Sequence, residues 1–195
     1  MKNELDAFFA LATMLVMDPR TVVLFVLLVA AAIADVRHQR IPNRLTLGGL
    51  AFGLAYSTVE PFWGGHGFLW ALAGAGVGFA ALFPLWLLRL TGAGDVKLMA
   101  MTGSLLGLHA IPLALVGAFA AGGGCAILYA LRHGNLRTML GHVLRMLHLG
   151  GIAVAAGAPV RIATTGWASV GKLPYGVPIA LGTITTTVAA HFGFL

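Results

Sequence analysis

The sequence predicts an all-α polytopic membrane protein of about six transmembrane helices, with the amino terminus outside. Three observations carry this. Of the 195 residues, 59% are hydrophobic and 9% charged, whereas a soluble domain carries roughly a quarter charged residues. Several apolar runs reach or approach the ~20 residues that cross a bilayer. Lysine and arginine divide unevenly between the connections, which sets an orientation. The net charge of +6 does not point to nucleic acid, because the basic residues are scattered among apolar runs instead of gathered on a polar face. Cys125 is the only cysteine, so an intramolecular disulfide and a cysteine-based zinc site are excluded.

The whole chain, 1–195, reads as one integral-membrane domain. Residues 1–18, "MKNELDAFFALATMLVMD", mix Lys2 with Glu4 and Asp6 and lack a small-x-small cleavage site, so they read as an interfacial or re-entrant segment and not as a signal peptide. Six spans follow: 19–38, with Pro19 suited to a first helical turn; the short 45–59; 68–90; the short 96–108; 110–131; and 177–194. Gly49/Gly53 and Gly74/Gly78 have the small-xxx-small spacing that lets membrane helices approach closely. Between the last two spans lies a loop, 132–174, that opens with "RHGNLRTMLGHVLRMLHL". There Leu136, Leu140, Val143, Leu144 and Leu147 recur at helical spacing opposite Arg137, Gly141, Arg145 and His148, as in a helix lying in the headgroup layer.

With the amino terminus outside, the inner segments hold Arg37, Arg40, Arg44, Arg89, Lys97, Arg132, Arg137, Arg145, Arg161 and Lys172. The outer segments hold only Lys2 and Arg20, a strong positive-inside bias. The acids divide the other way. Glu4, Asp6, Asp18 and Glu60 fall outside, leaving Asp35 and Asp95 as the only carboxylates on the inner side.

Asp35 lies about one turn before the inner end of the first span, and Asp95 opens the fourth span from the same side. Two readings are open. Either each acid is neutralised by a neighbouring arginine such as Arg37 or Arg89, or the two acids form a pair. A pair has a definite chemistry: two carboxylates within hydrogen-bonding reach share a proton and titrate as a unit. The ionised member takes a proton from water and the protonated one polarises a peptide carbonyl, as in aspartic proteases. Gly92 and Gly94 would let the backbone bend near Asp95 and approach a substrate strand. Lys97 either biases the charge of the pair or snorkels to lipid phosphate.

Three stretches in order, "IADVRHQRIPNRLTL", "TGAGDVKLMA" and "KLPYGVPIALG", resemble the type IV prepilin peptidases, membrane aspartic proteases with a Gly-x-Gly-Asp motif. The resemblance covers residues from about 20 to the carboxyl terminus. It implies that Asp35 and Asp95 are the catalytic pair. It implies that the substrate is a prepilin, cut on the cytoplasmic side just ahead of its hydrophobic helix. Pro174, Tyr175 and Gly176 match the Pro-aromatic-Gly segment, which either shapes a substrate groove or simply turns the chain into the last helix. Longer members carry paired Cys-x-x-Cys motifs and also methylate the product. Nothing here corresponds to those motifs, so the chain looks like the short, Tad/Flp-type peptidases, and methylation is not implied. The presenilin kind shares Gly-x-Gly-Asp, but its Pro-Ala-Leu element has no match near the last span.

The expectation is therefore a leader peptidase in the bacterial inner membrane, working in the bilayer and near the pilus assembly machinery, with no cofactor, no metal and no nucleic-acid partner. His133, His142 and His148 do not share a helix face and have no acid beside them, so they make no metal site. A rival reading uses the same two acids in a small proton- or cation-coupled transporter. A non-catalytic pilus assembly factor, in which both acids are dispensable, is a third.

Overall fold

The computed structural model describes residues 18–62, 67–88, 90–132, 141 and 174–191. The expected amino-terminal interfacial segment and the amphipathic stretch after residue 132 lie outside these, apart from Asp18, Arg132, Gly141 and Pro174. Among the described residues the chain forms five helices: α1 (Pro19–His38), α2 (Asn43–Val59), α3 (Phe68–Leu87), α4 (Ala93–Arg132) and α5 (Gly176–His191). Three of them, α1, α3 and α4, are long and apolar enough to cross a membrane.

Both ends of α1 and the start of α2 have local causes. Asp18 caps α1, its carboxylate accepting from the Arg20 N–H at 3.1 Å and the Thr21 hydroxyl at 2.7 Å, with Pro19 in the first turn. At the other end Gln39 turns left-handed (φ 50°) and donates its N–H to the Asp35 carbonyl at 2.8 Å. Pro42 then starts α2, its carbonyl accepting from Leu45 and Thr46.

The fourth and fifth expected spans both fall within α4, which is two helical segments meeting at residue 107. The helix breaks at Gly107, where φ is 73° and ψ 179°, a conformation essentially reserved for glycine. The Phe62 and Trp70 rings lie 3.1 Å from where a Gly107 Cβ would stand. After Gly107 the chain turns back: Gly117 meets Gly182, and Gly122 faces Pro178 beside the Gly176 that holds Asp35, so residues 108–122 return toward the end of the bundle from which α4 starts.

The chain divides into two compact units, Met1–Gly122 with Pro174–Leu195, and Gly123–Leu173. The first is built around the opening half of α4. From Asp95 to Leu105 every residue but Lys97 is buried, the mark of a helix surrounded by others. Glycines let those neighbours in. A Cβ on Gly78 would meet the Met99 carbonyl, and one on Gly74 the Gly103 carbonyl, so α3 and α4 pack backbone to backbone. Gly49 admits Leu27 and Met101, and Gly53 admits Ser104, which places α2 between α1 and α4. Gly117 meets Gly182, joining the later part of α4 to α5, and α5 also packs along α1. Buried hydroxyls in this core bond back to their own helices: Ser57 to the Gly53 carbonyl at 2.7 Å and Thr102 to the Leu98 carbonyl at 3.0 Å. They therefore satisfy themselves without a partner helix.

Candidate active site

Arg20, Leu24, Leu28, Ala31 and Asp35 form the buried stripe of α1. Their spacing of three to four residues is that of one helix face, so Asp35 continues the core stripe and points into the bundle. The opposite face, with Val26, Val29, Ile33 and Val36, is exposed, as a lipid-facing surface is. Asp35 is 7% exposed, whereas its neighbour Arg37 is exposed. Its carboxylate Oδ2 instead accepts the Gly176 N–H at 2.7 Å, across 141 residues of sequence. A Cβ on Gly176 would stand 3.0 Å from that same oxygen. Glycine is there because backbone must reach the acid.

Asp95 is the third residue of α4 and is also 7% exposed. Its Oδ2 accepts from the Gly92 N–H at 3.0 Å and the Thr91 hydroxyl at 2.7 Å. The carboxylate thus reaches back to the amide before the helix, as in a capping box, and sits where the helix dipole favours negative charge. The connector that follows α1 packs on Gly94 through Ile41, which brings the end of α1 that carries Asp35 to the start of α4 that carries Asp95. Two acids separated by two helices in the chain are thereby gathered at one end of the bundle.

The pattern of donors matters chemically. A backbone N–H can only donate, so the Oδ2 atom of each acid is held as an acceptor. Among the described residues these bonds all fall on Oδ2. On the outer side of α1, where α5 packs along it, an open, apolar recess is lined by Ala32, Ile33, Val36, Arg37 and Val177.

The remaining expected residues have more local roles. Neither Gly92 nor Gly94 is left-handed, since Gly107 is the only described glycine with positive φ. Gly92 supplies its N–H to Asp95, and Gly94 gives room to Ile41, which lies 3.3 Å from where a Cβ would stand. Lys97 donates its Nζ to the Asn43 side-chain oxygen at 2.9 Å. Pro174 and Tyr175 form the turn into α5, their carbonyls accepting from Val177 and Ile179 at 3.2 Å each. Tyr175 is 46% exposed. Arg89 lies outside the described residues. Sequence reasoning missed Thr91 and Asn43. Thr91 had a signal, a hydroxyl four residues before an acid at a helix start; Asn43 had none, being 54 residues from Lys97.

These features define a class: a helical membrane protein with two buried, backbone-anchored carboxylates at one end of its bundle. The type IV leader peptidase family matches residues 22–127, more than half the chain. The chain belongs to that family. It is similar to the prepilin leader peptidase/N-methyltransferase of Xanthomonas campestris pv. campestris, 36% identical over 109 residues, covering 49% of this chain and 35% of that protein. It also resembles the protein of the same name from Stutzerimonas stutzeri, 36% identical over 96 residues, covering 46% of this chain and 32% of that one. A third, from Escherichia coli K12, is 32% identical over 114 residues, covering 55% and 49%. The matches thus span about a third to a half of these relatives' length. No solved structure shows a significant match.

Proposed function

We propose that this protein is a membrane aspartic endopeptidase that cleaves the leader peptide of type IV, Flp-type prepilins on the cytoplasmic side of the bacterial inner membrane. One observation carries the reading: two buried acids, from helices far apart in sequence, each keep one oxygen pinned by a backbone N–H. The family supports it, as do the names of the relatives, whereas nothing in either favours a transporter. The excess of arginine and lysine in the segments around both acids supports the cytoplasmic side.

Hydrolysis follows from the arrangement. A water held between the Oδ1 atoms gives a proton to the ionised acid as its oxygen bonds to the scissile carbonyl carbon. The protonated acid gives its proton to the carbonyl oxygen, leaving a tetrahedral diol. In the second step the first acid passes its new proton to the peptide nitrogen, and the other takes a hydroxyl proton from the diol. The C–N bond breaks, releasing a carboxylic acid and an amine, and the pair again holds one proton.

The test is leader cleavage of a co-expressed Flp-type prepilin, read as a gel shift, for the wild type, Asp35→Asn and Asp95→Asn at matched membrane levels. Asparagine keeps the shape and removes the titration. Each single change is expected to abolish cleavage. Near wild-type cleavage by either variant refutes the aspartic mechanism.

A further inference from the structure

The connector between α1 and α2 rests on the first turn of α4 at two points. Ile41 packs on Gly94, 3.3 Å from where a Cβ would stand. Asn43 Oδ1 accepts from Lys97 Nζ at 2.9 Å. Lys97 is the one residue between Asp95 and Leu105 that is not buried, so its side chain leaves the core at the rim and meets α2 there. On one side the latch is two residues from Asp95. On the other, the path back to Asp35 is short and stiff. Pro42 (φ −63°) precedes Asn43, and Gln39 (φ 50°) closes α1 with its N–H 2.8 Å from the Asp35 carbonyl. A shift of the connector therefore moves the end of α1 that carries Asp35.

We propose that Asn43 is a positioning residue that acts through Lys97, latching the connector to α4 and so fixing the spacing of Asp35 and Asp95. This rests on the reading of the two acids as the reacting pair. The hydrogen bond is exposed, so water replaces it readily when one partner is removed and the fold survives its loss. Catalysis is less tolerant, since a misplacement of about 1 Å costs on the order of 10²-fold.

The experiment uses the full chain in detergent micelles with a purified Flp-type prepilin, measuring kcat, KM and thermal melting. Asn43→Ala is expected to lower kcat ~10- to 100-fold with KM within about twofold and melting unchanged. Asn43→Asp keeps an acceptor for Lys97 and is expected to restore most of kcat. The double variant Asn43→Ala, Lys97→Met is expected to be no worse than Lys97→Met alone, because both remove one latch. The proposal is overturned if Asn43→Ala leaves kcat intact or raises KM alone. It is equally overturned if Asn43→Asp fails to rescue, if the two single losses multiply, or if activity falls only in step with melting. Asp35→Asn and Asp95→Asn run alongside. Cleavage by either of those refutes the acid pair itself, a failure separate from that of the latch.

Discussion

Replacing Gly176 by alanine adds one methyl group to the backbone that holds Asp35. Gly176 has no positive φ, so alanine adopts its conformation without strain, and a helix start gains from alanine's better propensity by up to about 1 kcal/mol. The cost is purely local. The new Cβ would stand 3.0 Å from Asp35 Oδ2, 3.1 Å from its Cβ and 3.4 Å from its Cγ. Those contacts are a few tenths of an ångström too close for carbon. The strain is relieved only if the carboxylate moves off the Gly176 N–H, which it now meets at 2.7 Å. A hydrogen bond to a charged group is worth ~1.5–3 kcal/mol, and each 1.36 kcal/mol is about tenfold in rate. Gly176→Ala is therefore expected to lower kcat about 10- to 100-fold. The assay is single-turnover cleavage of a purified prepilin in micelles, with thermal melting of the same samples. Melting should hold or rise slightly while kcat falls. If the variant cleaves within about twofold of wild type, the Gly176 amide does not organise Asp35 and the reasoning fails.

Thr91→Val removes the hydroxyl that donates to Asp95 Oδ2 at 2.7 Å, and a lower kcat of about tenfold is expected, recovered by Thr91→Ser. Gly107→Ala forces a side chain into φ 73° and against the Phe62 and Trp70 rings; at ~1–3 kcal/mol for the backbone alone, a clearly lower melting temperature in detergent is expected. Gly74→Ala and Gly76→Ala make a paired test of the packing. A Cβ at Gly74 meets the Gly103 carbonyl, while at Gly76 nothing lies within 4 Å. The first should accumulate poorly in membranes and the second normally, and equal accumulation would contradict the backbone-to-backbone contact of α3 and α4.

The candidate site was legible in unequal parts. Asp35 continues the spacing of Leu24, Leu28 and Ala31, so its inward direction could be read from one helix face. Asp95 stands at a helix start behind glycines, a local pattern. What each acid touches was not legible, because Gly176 is 141 residues from Asp35 and Asn43 is 54 from Lys97. The glycines beside Asp95 were expected to bend the backbone. In the structure the Gly92 N–H bonds the acid and Gly94 makes room for Ile41. A glycine has the same letter in either role, and only its neighbours in space decide between them.

By itself the sequence determined the membrane class, the extent of α1 and the two acids that could matter. These depend on composition, on helical period and on charge, which are properties of neighbouring residues along the chain. The tertiary structure decided that α4 turns back on itself at Gly107, that α3 meets it at bare backbone, and which amide holds which carboxylate. Contacts between helices depend on which faces meet and how closely, and in a bilayer nearly every apolar face is an acceptable one. Small residues and a few hydrogen bonds choose among them, and their partners lie too far apart in the chain for spacing to reveal.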